Sequence, residues 1–144
     1  MTRVFIDSSV MIAAIFSYRS SARELLLGAA QLDLELVISS LVVKEVTRNI
    51  HRKRPDKLYL WEALLRSLSL TLVELSLHQV KDVQKLVVAK DAPILAAAMG
   101  GGCRYLATYD QKHLLANQQL KGRFLVQVTT PDVILAAAAT ERVR

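Results

Sequence analysis

The chain has 144 residues, of which 52% are hydrophobic and 22% charged. That is long enough to bury a sizeable core and too short for two ordinary domains, so residues 1–144 are expected to form one domain. Five glycines and three prolines exclude collagenous and low-complexity classes. Lys and Arg together number 19 against 13 Asp and Glu, a net charge of +6 that attracts polyanions such as nucleic acid or anionic lipid without choosing between them.

The apolar start, residues 1–16, carries Arg3 and Asp7. No later stretch approaches the roughly 18 uninterrupted apolar residues of a membrane span. A soluble protein without a signal peptide is expected. A single cysteine, Cys103, excludes an internal disulfide and a cysteine-based metal site, and it suits a reducing compartment, the cytoplasm.

In chain order, residues 3–6 form a β-rich run ending at Asp7, and Ser8 and Ser9 then open an apolar helix to Phe16. A second helix over 20–30 has Ser20 or Ser21 as cap, and residues 34–38 make the second strand. Ser39 or Ser40 caps a helix to about Arg52. Pro55 starts another, whose Leu58, Trp61, Leu64, Leu65 and Leu68 recur at core spacing. Residues 70–75 read as a strand, 77–88 and 91–99 as helices, 104–107 as a strand, 111–118 as a short helix and 123–128 as a fifth strand. Thr130 and Pro131 then open a terminal helix with Asp132 in its first turn. Strands alternating with helices imply crossovers and a mostly parallel sheet, hence a three-layer α/β/α domain that binds ligands outside the carboxyl ends of its strands.

Four acids fall where that architecture puts an active edge. Asp7 and Asp110 follow the first and fourth strands, Asp91 precedes a helix, and Glu45 lies in an apolar helix among Leu41, Val42, Val43 and Val46. Each also has a structural reading. Asp7, Asp91 and Asp110 suit helix caps, and Glu45 suits an exposed helical face. Convergence of the four on one cleft would bring mutually repelling carboxylates together, a situation relieved by a hard, oxygen-preferring divalent cation such as Mg²⁺ or Mn²⁺. Beyond Glu45 come Arg48, His51, Arg52, Lys53, Arg54 and Lys57. They read either as a nucleic-acid track leading from the cleft or as cations complementing a helix C-terminus.

Taken in order, the segments 4–9 (VFIDSS), 40–46 with Glu45, 90–98 (KDAPILAAA), 106–110 (LATYD) and 128–131 (VTTP) resemble those of PIN domains. The likeness covers the chain. It implies a Mg²⁺- or Mn²⁺-dependent ribonuclease of the kind that serves as toxin in VapBC-type toxin–antitoxin pairs. On that resemblance Asp7, Glu45, Asp91 and Asp110 match the acidic cluster, with Asp7, Asp91 and Asp110 as metal ligands. Ser8, Ser9 and Thr108 match polar positions that help hold the metal's water shell. The partners it implies are an RNA substrate, a cognate antitoxin and a second copy in a homodimer, with no membrane. Many members carry a further acid where this chain has Lys112. The competing expectation is therefore a degenerate PIN domain that binds RNA or protein without cutting.

A haloacid-dehalogenase-like phosphatase would need an acid at Ser9, and a receiver-like module would need a phosphoacceptor Asp ending the third strand, where Glu74, Leu75 and Ser76 stand. Neither fits. The glycines at 100–102 lie between a helix and a strand and read as helix termination, Trp61 and the leucines after it as core, and His51, His78 and His113 as residues without metal-ligand spacing.

Overall fold

The computed structural model describes residues 1–74, 92–110 and 126–143. Five parallel strands, β1 (Thr2–Ile6), β2 (Leu34–Ser39), β3 (Leu70–Val73), β4 (Tyr105–Ala107) and β5 (Gln127–Thr129), form one sheet in the order β3-β2-β1-β4-β5. The first element is central because its side chains tolerate no water. Val4, Phe5 and Ile6 are all fully buried, the continuous apolar run of a parallel strand covered on both faces. The two outermost strands, β3 and β5, are only four and three residues long, which limits the unpaired edge.

The helices described are α1 (Ser8–Phe16), α2 (Ser21–Gly28), α3 (Ser40–Lys53), α4 (Leu58–Ser67), α5 (Ala92–Gly100) and α6 (Pro131–Val143). Contacts run from α6 through α2 and α1 to α3 and α4, whereas α5 lies against β1, β2 and β4. This is the three-layer α/β/α arrangement expected, with a sheet that is parallel throughout. Local chemistry sets the helix starts. Ser20 Oγ accepts from Arg23 N at 3.2 Å, and Ser39 Oγ, rather than Ser40, accepts from Val42 N at 3.3 Å. Pro55 opens a short 3-10 turn, Pro55–Lys57, before α4 begins. Trp61 belongs to the core as expected. It is buried, and its indole N–H donates to Thr47 Oγ1 at 2.9 Å.

Among the remaining readings, the fifth strand expected at 123–128 has its first three residues outside the described residues, and β5 runs from Gln127 one residue past the expected end, to Thr129. The helices expected at 77–88 and 111–118, together with Asp91, His78, Lys112 and His113, lie outside the described residues. No described helix is long and apolar enough to cross a membrane. Cys103 is buried, and that burial pushes its thiol up to about 11.

The chain runs outward from β1 to β2 and β3, then returns to the other side of β1 for β4 and β5. The strand order therefore reverses between β1 and β4, and the crevice at their carboxyl ends is the topological switch point where ligands bind in open α/β sheets. Pairing of Ile6 with Ala107 brings the next residues, Asp7 and Thr108, to the same level at that edge.

The glycines at 100–102 end α5 as expected. Gly102 has φ +67°, Gly102 N donates to Met99 O at 3.1 Å and Cys103 N to Ala98 O at 3.0 Å, the paired bonds of a Schellman motif. A Cβ at Gly102 meets nothing, so only backbone strain opposes a side chain there. Gly102→Ala is expected to lower stability by about 1 kcal/mol. Gly28→Ala, in open space within helical backbone, should raise it by roughly 0.4–1 kcal/mol. Urea denaturation checks both, and equal stabilities for the two variants would contradict the role given to Gly102.

Candidate active site

The edge at the switch point is built around Asp7. It is only 5% exposed and follows β1 directly, with its backbone N–H bonded to Ala107 O at 3.1 Å. Its carboxylate serves first as the N-cap of α1, Oδ1 accepting from Ser8 N at 2.8 Å, so the capping reading is correct as far as it goes. Capping accounts for one oxygen. The other, Oδ2, accepts from Ser9 Oγ at 2.9 Å and from Thr108 Oγ1 at 2.7 Å. No cation among the described residues pairs with this carboxylate.

Two further bonds connect it to the other acids. Ser8 Oγ donates to Glu45 Oε2 at 3.0 Å and lies 3.4 Å from Asp7 Oδ1. The carboxylates of Asp7 and Glu45 are thus no farther apart than those two bonds laid end to end. Glu45 is half-buried on α3, where Val42, Val46 and Ile50 face the core, and Asn49 Nδ2 donates to its backbone carbonyl at 3.1 Å. On the other side, Thr108 Oγ1 accepts from Asp110 N at 3.0 Å, and Ser9 Oγ accepts from Tyr109 N at 3.0 Å. Asp110 is half-buried at the same edge.

Of the four predicted acids, the carboxylates of Asp7 and Glu45 share one hydroxyl network, the network reaches Asp110 through its backbone N–H, and Asp91 is outside the described residues. Ser8, Ser9 and Thr108, expected to help hold a metal's water shell, all bond the Asp7 carboxylate. Thr108 is fully buried. Tyr109 was passed over in the sequence. Burial pushes its phenol above the usual tyrosine range, and the nearby Asp132 carboxylate adds to that shift.

The basic residues divide. Arg48, Arg52 and Lys53 are exposed and make no ion pair or hydrogen bond with a described residue. Arg48 and Arg52 share the side of α3 that carries Glu45. Arg54 instead grips Asp56 through Nε at 3.0 Å and Nη2 at 2.8 Å, which holds the Asp56 carboxyl below its ordinary range. His51 is exposed beside them.

The donor chemistry fits a hard divalent cation, because carboxylate and hydroxyl oxygens converge on a buried negative charge without a described counter-ion. The described residues supply only part of such a shell. No three His, Cys, Asp or Glu among them stand close enough to hold an ion.

Residues 4–119 match the PIN domain family. No curated protein matches the chain in sequence. Among solved structures, the fold is similar to that of PAE2754 from Pyrobaculum aerophilum, with 18% identity, a TM-score of 0.65 and 96% of each chain covered. It is similar to VapBC2 from Rickettsia felis, bound to a DNA fragment from its promoter, with 15% identity, a TM-score of 0.65, and 88% of this chain and 98% of that one covered. It also resembles VapC20 of Mycobacterium tuberculosis, a Sarcin-Ricin loop cleaving toxin, with 13% identity, a TM-score of 0.57, and 76% of this chain and 91% of that one covered.

Thr108 is where the network is most exposed to a single change. Thr108→Val removes a donor to Asp7 and an acceptor from Asp110 N, and should lower stability by about 1–3 kcal/mol. Thr108→Ser, which keeps the hydroxyl, should lose less. A valine variant as stable as the unmodified protein in urea would show that the hydroxyl does not hold the site together.

Proposed function

Because the chain belongs to the PIN domain family, we propose that it is a Mg²⁺- or Mn²⁺-dependent endoribonuclease, the toxin of a VapBC-type toxin–antitoxin pair. The observation that carries this reading is the buried Asp7 carboxylate, caged by Ser8, Ser9 and Thr108 at the switch point and joined through Ser8 to Glu45. A charge kept out of water with no described counter-ion is expensive to maintain for structure alone.

Asp7, Asp91 and Asp110 would hold the cation. The chemistry supplied by a bound Mg²⁺ or Mn²⁺ is neutralisation of phosphate charge and a lowered pKa for water. The chain's own residues do the rest. Asp7 presents a fixed oxygen, because its other positions are taken by Ser8 N and the hydroxyls of Ser9 and Thr108. Glu45, oriented by Ser8, binds at the cation or accepts a proton from the attacking water as general base. Water attacks the phosphorus in line, its proton passing to the base, and the P–O bond to the leaving ribose oxygen breaks as that oxygen takes a proton from solvent. Arg48, Arg52 and Lys53 bind flanking phosphates, with Arg54 contributing least while paired with Asp56.

The one-domain organisation over residues 1–144, a cognate antitoxin, a homodimer and a cytoplasmic location belong to the same proposal. The fold likeness to VapC20 and VapBC2 supports the toxin part of it. A second reading, a PIN scaffold that binds RNA or protein without cutting, draws on Lys112 and on the absence of a three-acid group among the described residues.

Cleavage of a mixed structured RNA separates the two. The purified protein is expected to cut with Mg²⁺ or Mn²⁺ and to stop with EDTA, and Asp7→Asn should cut at least 100-fold more slowly while melting as a folded protein. Cutting at full rate by Asp7→Asn would remove Asp7 from the chemistry. Failure of the unmodified protein to cut with either metal would leave the scaffold.

A further inference from the structure

Among the described aromatic side chains, Tyr18, in the loop between α1 and α2, is the most exposed. It is 80% exposed, yet it is not loose. The Arg23 guanidinium lies over one face of its ring, 4.5 Å from the centroid. Arg23 is itself pinned to the end of α1, Nε donating to Ala14 O at 2.7 Å and Nη2 to Ile15 O at 3.5 Å. One face of the phenol ring is thus backed by a fixed cation, and the other is turned to solvent. A ring held this way loses little conformational freedom when a flat partner settles on it.

The surroundings say what that partner is. From Phe16 to Arg23 the sequence contains Phe16, Tyr18, Arg19 and Arg23 and no acid, and Phe16 is itself 41% exposed. An aromatic face beside Arg19 and Arg23, with Glu24 the one acid in the adjoining turn, complements a polyanion that carries flat rings. A protein partner chosen by charge alone would not require the ring. Single-stranded nucleic acid satisfies both demands, with bases stacking on aromatic side chains and phosphates on arginines.

The loop also communicates with the acidic edge. α1 starts at Ser8, so Phe16 at its other end stands roughly 12–13 Å along the helix axis from Ser8. A strand whose scissile phosphate lies at Asp7 therefore has a base within a few nucleotides of Tyr18.

We propose that Tyr18, clamped by Arg23, is a stacking platform for an unpaired base of the RNA substrate, a contact outside the catalytic edge that favours single-stranded over duplex segments. This rests on the ribonuclease reading above. The test measures binding of a short fluorescent single-stranded RNA of mixed sequence in EDTA, and its cleavage in Mg²⁺ or Mn²⁺, by the unmodified protein, Tyr18→Ala and Tyr18→Phe. Circular dichroism melting checks that each is folded.

Tyr18→Ala should bind about tenfold more weakly and Tyr18→Phe within about twofold of the unmodified protein. Because stacking releases no counter-ions, the alanine deficit should be the same at low and raised salt, whereas Arg19→Ala should flatten the salt dependence. Alanine binding as tightly as tyrosine while the RNA is still cut overturns the platform and leaves the nuclease standing. Phenylalanine failing as badly as alanine also overturns it, because the hydroxyl and not the ring would then be responsible. An unmodified protein that neither binds nor cuts the RNA removes the nuclease reading and the platform together.

Discussion

The Asp7 carboxylate, held out of water at the end of the central strand, is the constraint on which the rest of the edge depends. Desolvating such a group opposes folding by several kcal/mol, and hydrogen bonds to a charged acceptor return about 1.5–3 kcal/mol each. One backbone amide and two or three hydroxyls converge on it, so the balance is close, and losing any one donor tips it. This explains why the polar residues here come from two places in the chain. Ser8 and Ser9 arrive with the first turn of α1, and Thr108 arrives because β4 pairs with β1 in a register that puts it beside Asp7.

The same network sets the relation between the acids. Ser8 reaches Glu45 on α3, whose start at the end of β2 is fixed by Ser39, and Thr108 reaches the backbone of Asp110. Movement of one carboxyl group is therefore transmitted through a hydroxyl to another. Hydrogen bonds fix the Asp7 carboxylate but leave its charge and one acceptor position, and Arg48 and Arg52, which pair with no described residue, lie farther along α3. An arrangement that gathers negative charge at a point and sets exposed cations along an adjoining helix suits a cation at the point and a phosphate chain along the helix.

Much of this was legible in the sequence because the strands are short apolar runs punctuated by cap residues. Val4, Phe5 and Ile6 followed by Asp7 announced both a buried strand and its carboxyl end, and Gly102 and Pro131 marked a helix end and a helix start. Position alone could not distinguish cap from catalyst at Asp7, and the structure shows why: one oxygen caps α1 while the other meets Ser9 and Thr108. The hydroxyl residues were legible as neighbours of the acids, but sequence spacing does not reveal that Thr108 is fully buried and bonded to Asp7. Arg54 was counted with the free cations because its bidentate grip on Asp56 depends on a turn that the sequence only outlines. Tyr18 and Arg23 were invisible as a pair, because their stacking is set by α2 folding back on α1.

The central claim is that the Asp7 cage is half of a cation site, and titration with Mn²⁺, followed by the paramagnetic resonance signal of the free ion, tests it most directly. The unmodified protein should take up Mn²⁺, and Asp7→Asn, folded to the same melting profile, should bind it at least tenfold more weakly. Equal uptake by the two proteins, or none by either, would contradict the account and return Asp7 to the role of a helix cap.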